Sequence, residues 1–448
     1  MSNISDTTRT RHADSGRRGG NGAAETRQHP AAKKNYDTAV ARGLYERDLR
    51  GMEGKYDNVR RYWEDQITRY ALRPFVEPLV GRKRRELSRI RVVDLGAGAG
   101  EGYEILSGMK NASERLPSQE VALLPAEIIA HYHGIDISEA MVEQGNAIYE
   151  SNPKVHFSVG DLSAGLGEVR REPPFDIYFS SYSSLSHLSD EGLRVLAEDV
   201  CDHYDGCCVL VADMMGRYSV EWQCYWDQPG TDASNMRQYS MSYLYPAEML
   251  HRIEVERFPM RYWGADEFDH LMTRAIESKG SRVARRQIWD RSIIVGRHMN
   301  TAEYNPQVRP IRSAVNSLYV MDQRTDLSAL LFDYVPHADF PELNGFFDRF
   351  QMAWNTVVYE AIAALEQAGD ADLLAQPPAK EYPEIVREAI TTIRNVVRGV
   401  HWFRMGDPRA NIVEPQLGYV LRNLEMDLQQ GLGAGHGFLA LYELQKGR

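Results

Sequence analysis

Three glycines at alternate positions, Gly96, Gly98 and Gly100, follow the apolar run of residues 90–95 and precede a helical pattern starting at Glu101. Glycine has no Cβ, so its backbone can approach a ligand closely, and a turn at the carboxyl end of a first strand is where open α/β sheets bind ligands. The turn implies a nucleotide-like molecule. It lacks the dinucleotide spacing GxGxxG, because the third position is Glu101 counted from Gly96 and Tyr103 counted from Gly98. No Lys-Ser or Lys-Thr pair follows the glycines, so a P-loop is excluded as well. Downstream stand two carboxylates in similar settings, Asp136 in Gly134-Ile135-Asp136-Ile137-Ser138 and Asp161 in Val159-Gly160-Asp161-Leu162. A carboxylate such as Asp136 accepts two hydroxyl hydrogens, which suits a ribose. His187, with the near-neutral pKa of an imidazole, suits removal of a hydroxyl proton; a histidine that only hydrogen bonds at a helix start is the other reading.

Regular elements are needed to position these groups. The β-branched and apolar runs at residues 90–95, 133–137, 155–159, 175–180 and 207–213 predict strands, with helices between them, notably at 139–150 and 190–201. That alternation predicts a parallel sheet covered on both faces. Ahead of it, Tyr62, Trp63, Ile67, Tyr70, Ala71, Phe75 and Val76 recur at helical spacing. After it come a helix at 266–278 and two strands at 281–289 and 292–297, whose turn at Asp290 and Arg291 predicts an antiparallel hairpin at the sheet edge. Apolar faces built from Ile385, Ala389, Ile393, Val396 and Val400, and from Leu417, Leu421, Leu424 and Leu428, predict a mainly helical unit over 300–448. The chain thus divides into a disordered tail (1–35), N-terminal helices (36–87), a sheet domain (88–299) with an insertion at 214–264, and the helical unit.

The segment Val93-Asp94-Leu95-Gly96-Ala97-Gly98-Ala99-Gly100 resembles the DxGxGxG signature of class I S-adenosylmethionine-dependent methyltransferases, and the order of the later motifs agrees. The resemblance covers residues 88–213 and, more weakly, 265–298. It implies a doubly wound, mostly parallel seven-stranded sheet and S-adenosylmethionine as cofactor. It further implies that Asp94, Gly96, Gly98, Gly100 and Ser180 surround the cofactor, that Asp136 holds the ribose, that Ile137 and Met141 flank the purine, and that Asp161 with Leu162 meets the adenine. Thirty-six residues separate Gly100 from Asp136, so an insertion near 107–125 lengthens that connection.

The acceptor is read from the segment after the fourth strand. The run Phe179-Ser180-Ser181-Tyr182-Ser183-Ser184-Leu185-Ser186-His187 lacks the Asn/Asp-Pro-Pro-aromatic tetrapeptide of nucleic-acid and glutamine amino-methyltransferases. Neither a magnesium-binding carboxylate cluster nor the paired-glutamate loop of protein arginine enzymes is present. The pattern is most similar to small-molecule members, which transfer to oxygen or nitrogen. Asp213, ending the fifth strand, suits an ammonium or guanidinium group on the acceptor, or else caps the next segment. Ten aromatics lie between Met214 and Gly264, and such a segment suits a lid over an apolar, planar or cationic acceptor, with part of it serving as ordinary core. Tyr182, Trp222, Trp226 and Tyr243, with Tyr56 and Arg60 from the preceding helix, are the candidate acceptor contacts. Transfer to a protein side chain, with the helical unit as docking surface, and cofactor binding without catalysis are the rival readings. The helical unit itself serves as pocket wall or as a homodimer interface.

Composition narrows the class further. Among 448 residues, 52 Lys and Arg stand against 63 Asp and Glu, a net charge of -11 that repels nucleic acid. The four cysteines, Cys201, Cys207, Cys208 and Cys224, form no CxxC pair, and no metal site is expected. No run of about 18 apolar residues suggests a membrane span, and no apolar leader stands at the N-terminus, so a reducing cytoplasm is expected.

Overall fold

The computed structural model describes residues 29–45, 50–52, 54–111, 122–227 and 235–447. Residues 1–28 of the expected tail and 112–121 of the expected insertion lie outside the described residues, whereas residues 29–35, expected to be disordered, are the start of a helix.

Helix α1 (His29–Ala41) leads to α2 (Asp65–Arg85), whose Ile67, Ala71, Leu72, Phe75, Val76, Leu79 and Val80 are buried at three- and four-residue spacing. From Ala71 onward, that stripe packs on the sheet residues Ile90, Val92, Ile177 and Val209. The sheet domain then runs β1 (Ile90–Leu95), α3 (Glu101–Ser107), β2 (Ile129–Asp136), α4 (Glu139–Ile148), β3 (Val155–Val159), β4 (Ile177–Phe179), α5 (Asp190–His203) and β5 (Cys207–Gly216). The insertion contributes β6 (Met236–Ser240) and β7 (Arg257–Trp263), after which α6 (Ala265–Ser278) and β8 (Ser281–Arg291) complete this half of the chain.

The seven-strand path is β8-β9-β5-β4-β1-β2-β3, where β9 is Gly437–Lys446. β9 is antiparallel to both neighbours, while β5, β4, β1, β2 and β3 pair in parallel. This is the doubly wound, mostly parallel seven-stranded sheet that the resemblance to class I methyltransferases implies. β7 joins β5 through Met215↔Tyr262 and Gly216↔Trp263, and β6 pairs with β7.

One expectation is overturned. Residues 292–297 form no strand and no hairpin with β8; Ile293, Ile294 and Val295 are instead fully buried among the helices. An apolar run shows that a segment is inside, and not which element it joins. The sheet's last partner comes from beyond the helical unit, so that unit is inserted between two neighbouring strands and the sheet domain does not end at 299. The inserted helices α7 (Ile311–Ser317), α8 (Pro341–Glu366), α9 (Glu384–Gly399) and α10 (Glu414–Leu428) share one core with Val59 and Trp63, containing Trp354, Ile390, Ile393, Leu417 and Leu421. Buried ion pairs lock the insertion to the N-terminal segment. Arg312 donates from Nε to Asp57 Oδ2 at 2.6 Å, from Nη2 to Asp57 Oδ1 at 2.8 Å and from Nη1 to Glu64 Oε1 at 2.8 Å. Among the described residues no helix is long and apolar enough to cross a membrane.

Candidate active site

The glycine turn closes tightly on its neighbours. Gly96 has φ of 79°, and a Cβ there would lie 2.5 Å from Ser184 Cβ; Gly100 has φ of 98°, and its Cβ would meet Tyr149 at 2.5 Å and Phe157 at 2.7 Å. Both conformation and space therefore demand glycine. Across the turn, Asp136 Oδ2 accepts from Gly98 N–H at 2.8 Å and Oδ1 from Ser138 N–H at 2.9 Å. Those bonds hold the carboxylate at the end of β2, and burial raises its pKa. Asp161 Oδ1 accepts from Ser163 N–H at 2.9 Å and so caps the turn after β3.

Gly96, Gly98, Asp136, Ile137, Met141, Asp161, Leu162, Tyr182, His187 and Tyr243 all line one cavity at the carboxyl ends of the parallel strands. Ten of the candidate residues thus meet in one place, where open α/β sheets bind their ligands. Gly100, Asp94 and Ser180 stand behind its wall. Asp94 is fully buried, accepts a hydrogen bond from the Tyr132 hydroxyl and is pushed up to about 8 by burial, against that bond.

Other candidates are corrected. Asp213 does not face the cavity: its Oδ2 accepts from Tyr182 N–H at 2.7 Å and from Arg291 Nη2 at 2.6 Å, in a fully buried ion pair. The cation it holds belongs to the chain itself. Trp222 and Trp226 are core side chains, since each donates its indole N–H to a backbone carbonyl, of Gly216 and of Ser219 respectively, and Trp226 stacks on Phe347. Tyr56 and Arg60 stand one layer back. Tyr56 donates to Glu101 Oε1 at 2.9 Å, and Arg60 lies over the Tyr182 ring with its Nε 3.1 Å from that hydroxyl. Tyr182 and Ser183 have φ of 53° and 59°, left-handed values costly for residues other than glycine, and the bonds from Asp213 and Arg60 hold this turn in place.

Several cavity residues escaped the sequence reading. Tyr36 and Tyr45, on α1 and just after it, roof the cavity. Lys55 Nζ lies 2.5 Å from Glu101 Oε1; burial lowers the lysine to about 8, while Lys55 and Arg60 outweigh burial at Glu101 and hold it at about 2. From the far wall comes His436, the residue before β9. Its Nδ1 sits 2.6 Å from Glu221 Oε2 and 3.0 Å from Oε1, and Glu221 Oε1 also accepts from His298 N–H at 2.9 Å. Glu221 is fully buried, and although burial raises its carboxyl, the contacts with His436 and His298 together outweigh it and keep the carboxyl low. His187 Nε2 lies 3.0 Å from the Tyr36 hydroxyl, with Phe258 packed beside both rings. No motif marked His436: its run Gly433-Ala434-Gly435-His436-Gly437 reads as a plain turn, and its partner Glu221 is more than two hundred residues away.

A family described as "Methyltransferase domain" matches residues 120–204. No curated protein matches the chain. Among solved structures, magnesium protoporphyrin IX methyltransferase from Synechocystis PCC 6803 is similar at 14% identity over 58% of this chain and 92% of its own, with a TM-score of 0.32. The CcbJ methyltransferase of Streptomyces caelestis is similar at 14% identity over 44% of this chain and 75% of its own, with a TM-score of 0.30. A chain of the complex containing the Haloferax volcanii Trm112 methyltransferase activator is similar at 16% identity over 46% of this chain, with a TM-score of 0.27; the present chain spans 65% of that one, under two thirds of its length. Residues 120–204 thus match a methyltransferase domain, within a sheet whose strand order and glycine turn with its facing carboxylate are the arrangement that the resemblance to class I methyltransferases implies.

Proposed function

We propose that this enzyme methylates an oxygen or nitrogen of a small-molecule acceptor enclosed between the cofactor end of the cavity and a wall of Tyr239, Tyr243, Met260, His187 and His436. The observation that carries the reading is the enclosure: α1 and β7 close over the same cavity whose floor holds Asp136 and the glycine turn. An aromatic-lined chamber suits a compact organic molecule better than an extended peptide. The residues present fit S-adenosylmethionine. Asp136 would hold the ribose hydroxyls, Ile137 and Met141 would flank the purine, Leu162 and Asp161 would meet its edge, and the close-packed backbone at Gly96 and Gly98 would run beside the amino-acid portion. When bound, the cofactor supplies an electrophilic methyl group on a sulfonium.

The rest falls to the chain. The aromatic roof orients the acceptor and excludes water, which is most of what an in-line displacement asks of a protein. His436 takes the acceptor's proton at Nε2, since Nδ1–H is engaged by the buried Glu221 carboxylate, which fixes the tautomer. His187 is a positioning residue here, because its Nε2 is already engaged by Tyr36.

The reading is tested by offering radiolabelled methyl donor with separated small-molecule and protein fractions of a cell extract. Label in the small-molecule fraction is expected; label confined to protein would replace this reading with side-chain methylation.

A further inference from the structure

A second cluster of chemistry-bearing residues lies away from the cavity. His131 and His133 are two apart on β2 and so share one face of the sheet, and His156 on β3 is the direct register partner of His133. Their rings are close: the His156 centroid is 4.5 Å from that of His131 and 4.1 Å from that of His133. Glu172, from the loop that crosses this face before β4, brings Oε1 to 2.6 Å from His133 Nδ1 and Oε2 to 2.9 Å from His131 Nε2. One donor atom from each of the four residues lies within 4.8 Å of every other.

From this arrangement we propose that His131, His133, His156 and Glu172 form a divalent-metal site, with zinc as the fitting ion. Three imidazoles and one carboxylate are the nitrogen and oxygen donors that zinc accepts, whereas magnesium and calcium take oxygen ligands. Donors about 2.1 Å from a tetrahedral zinc sit roughly 3.4 Å from one another. Opening of the Glu172 contacts, from 2.6 and 2.9 Å by about 0.8 and 0.5 Å, and closure of His156 would reach that geometry. Ser158 Oγ lies 2.6 Å from His133 Nε2, and by accepting Nε2–H it would leave the Nδ1 lone pair on the Glu172 side for the ion. Arg91 Nη2, 2.7 Å from Glu172 Oε2, already neutralises part of the carboxylate and would compete with the ion.

Four protein donors complete a tetrahedron, so the ion is structural. It would clamp β2, β3 and the loop over 167–176 together, three residues before Asp136 on the same strand. The site stands whatever the acceptor proves to be, and its test needs no turnover.

The full-length protein, stripped with chelator and dialysed, is titrated with zinc in a calorimeter and with cobalt in a spectrophotometer. Expected are one ion per chain, the visible bands of four-coordinate cobalt and a rise in Tm with zinc. The double variant His131→Ala/His156→Ala should bind zinc at least about 100-fold more weakly, and Ser158→Ala should weaken it by about 10-fold or more. Arg91→Gln, which removes the competitor, should tighten it, so an affinity change of the opposite sign is available even where the alanine variants fail to fold. Absence of stoichiometric uptake, retention of the ion by a folded double variant, or sulfur-to-cobalt charge-transfer bands from the cysteines would overturn the site.

Discussion

The imidazole of His436 and the carboxylate of Glu221 meet at 2.6 Å across more than two hundred residues of sequence, the histidine among the residues lining the cavity and the acid wholly buried. His436→Ala should lower kcat by about 10²- to 10⁴-fold, the usual worth of general-base assistance, and leave S-adenosylmethionine affinity unchanged. Glu221→Gln should lower kcat less, because the amide still holds the ring in place. His187→Ala should act mainly on KM for the acceptor. Equal kcat losses at both histidines would remove the distinction between them.

Asp136→Ala should abolish measurable cofactor binding at micromolar concentrations. Two hydrogen bonds to a charged acceptor, at about 1.5–3 kcal/mol each, correspond to at least about 10²-fold in affinity. Asp136 also ties Gly98 to Ser138, so circular dichroism must accompany the calorimetric titration. Unchanged affinity in a folded variant would remove the ribose assignment.

The Asp213–Arg291 pair predicts a stability effect in place of a catalytic one. Asp213→Ala leaves a buried guanidinium without its carboxylate and should destabilise the protein by about 3–5 kcal/mol, read from urea denaturation. Asp213→Ala/Arg291→Met should recover a large part of that loss. A fully stable single variant with altered acceptor specificity would instead restore Asp213 to the acceptor pocket.

Asp94 predicts a pH dependence. Its folded pKa of about 8 lies above the ordinary value of 3.8, so the native state keeps a proton that the unfolded chain releases. The associated stability is complete below pH 3.8 and is lost as pH rises through about 8. Asp94→Asn, which cannot ionise, should flatten that slope, so its urea midpoint relative to the parent should improve between about pH 5 and about pH 8.5, an interval set by those two values. A constant difference across this range would show that Asp94 is ionised in the fold.

The end of the cavity at the glycine turn was legible because its residues are local. Gly96, Gly98 and Asp136 sit at strand ends that alternate with helices, and each motif needs only its own few neighbours to be read. The acceptor end was not. Trp222 and Trp226 share their residue type with lid aromatics, and only packing against Tyr262 and Phe347 shows them to be core. Residues 292–297 have strand composition, but the place beside β8 is taken by β9, and Ile293 to Val295 satisfy the same burial among helices. Periodicity reports that a side chain is inside; which partner it meets is decided by chain closure over long distances.

The position of β9 has a consequence for how the molecule is made. Because β9 lies between β5 and β8, a ribosome that has released both of those strands has still produced a sheet with a gap, bordered by two unpaired edges. Open edges invite association with other chains, and the gap persists until the helical insertion has been synthesised. β9 fills it once it emerges, bringing His436 to the cavity in the same event. Catalytic competence is therefore expected to appear only after β9 has been synthesised, and folding intermediates trapped before that point should be prone to aggregate.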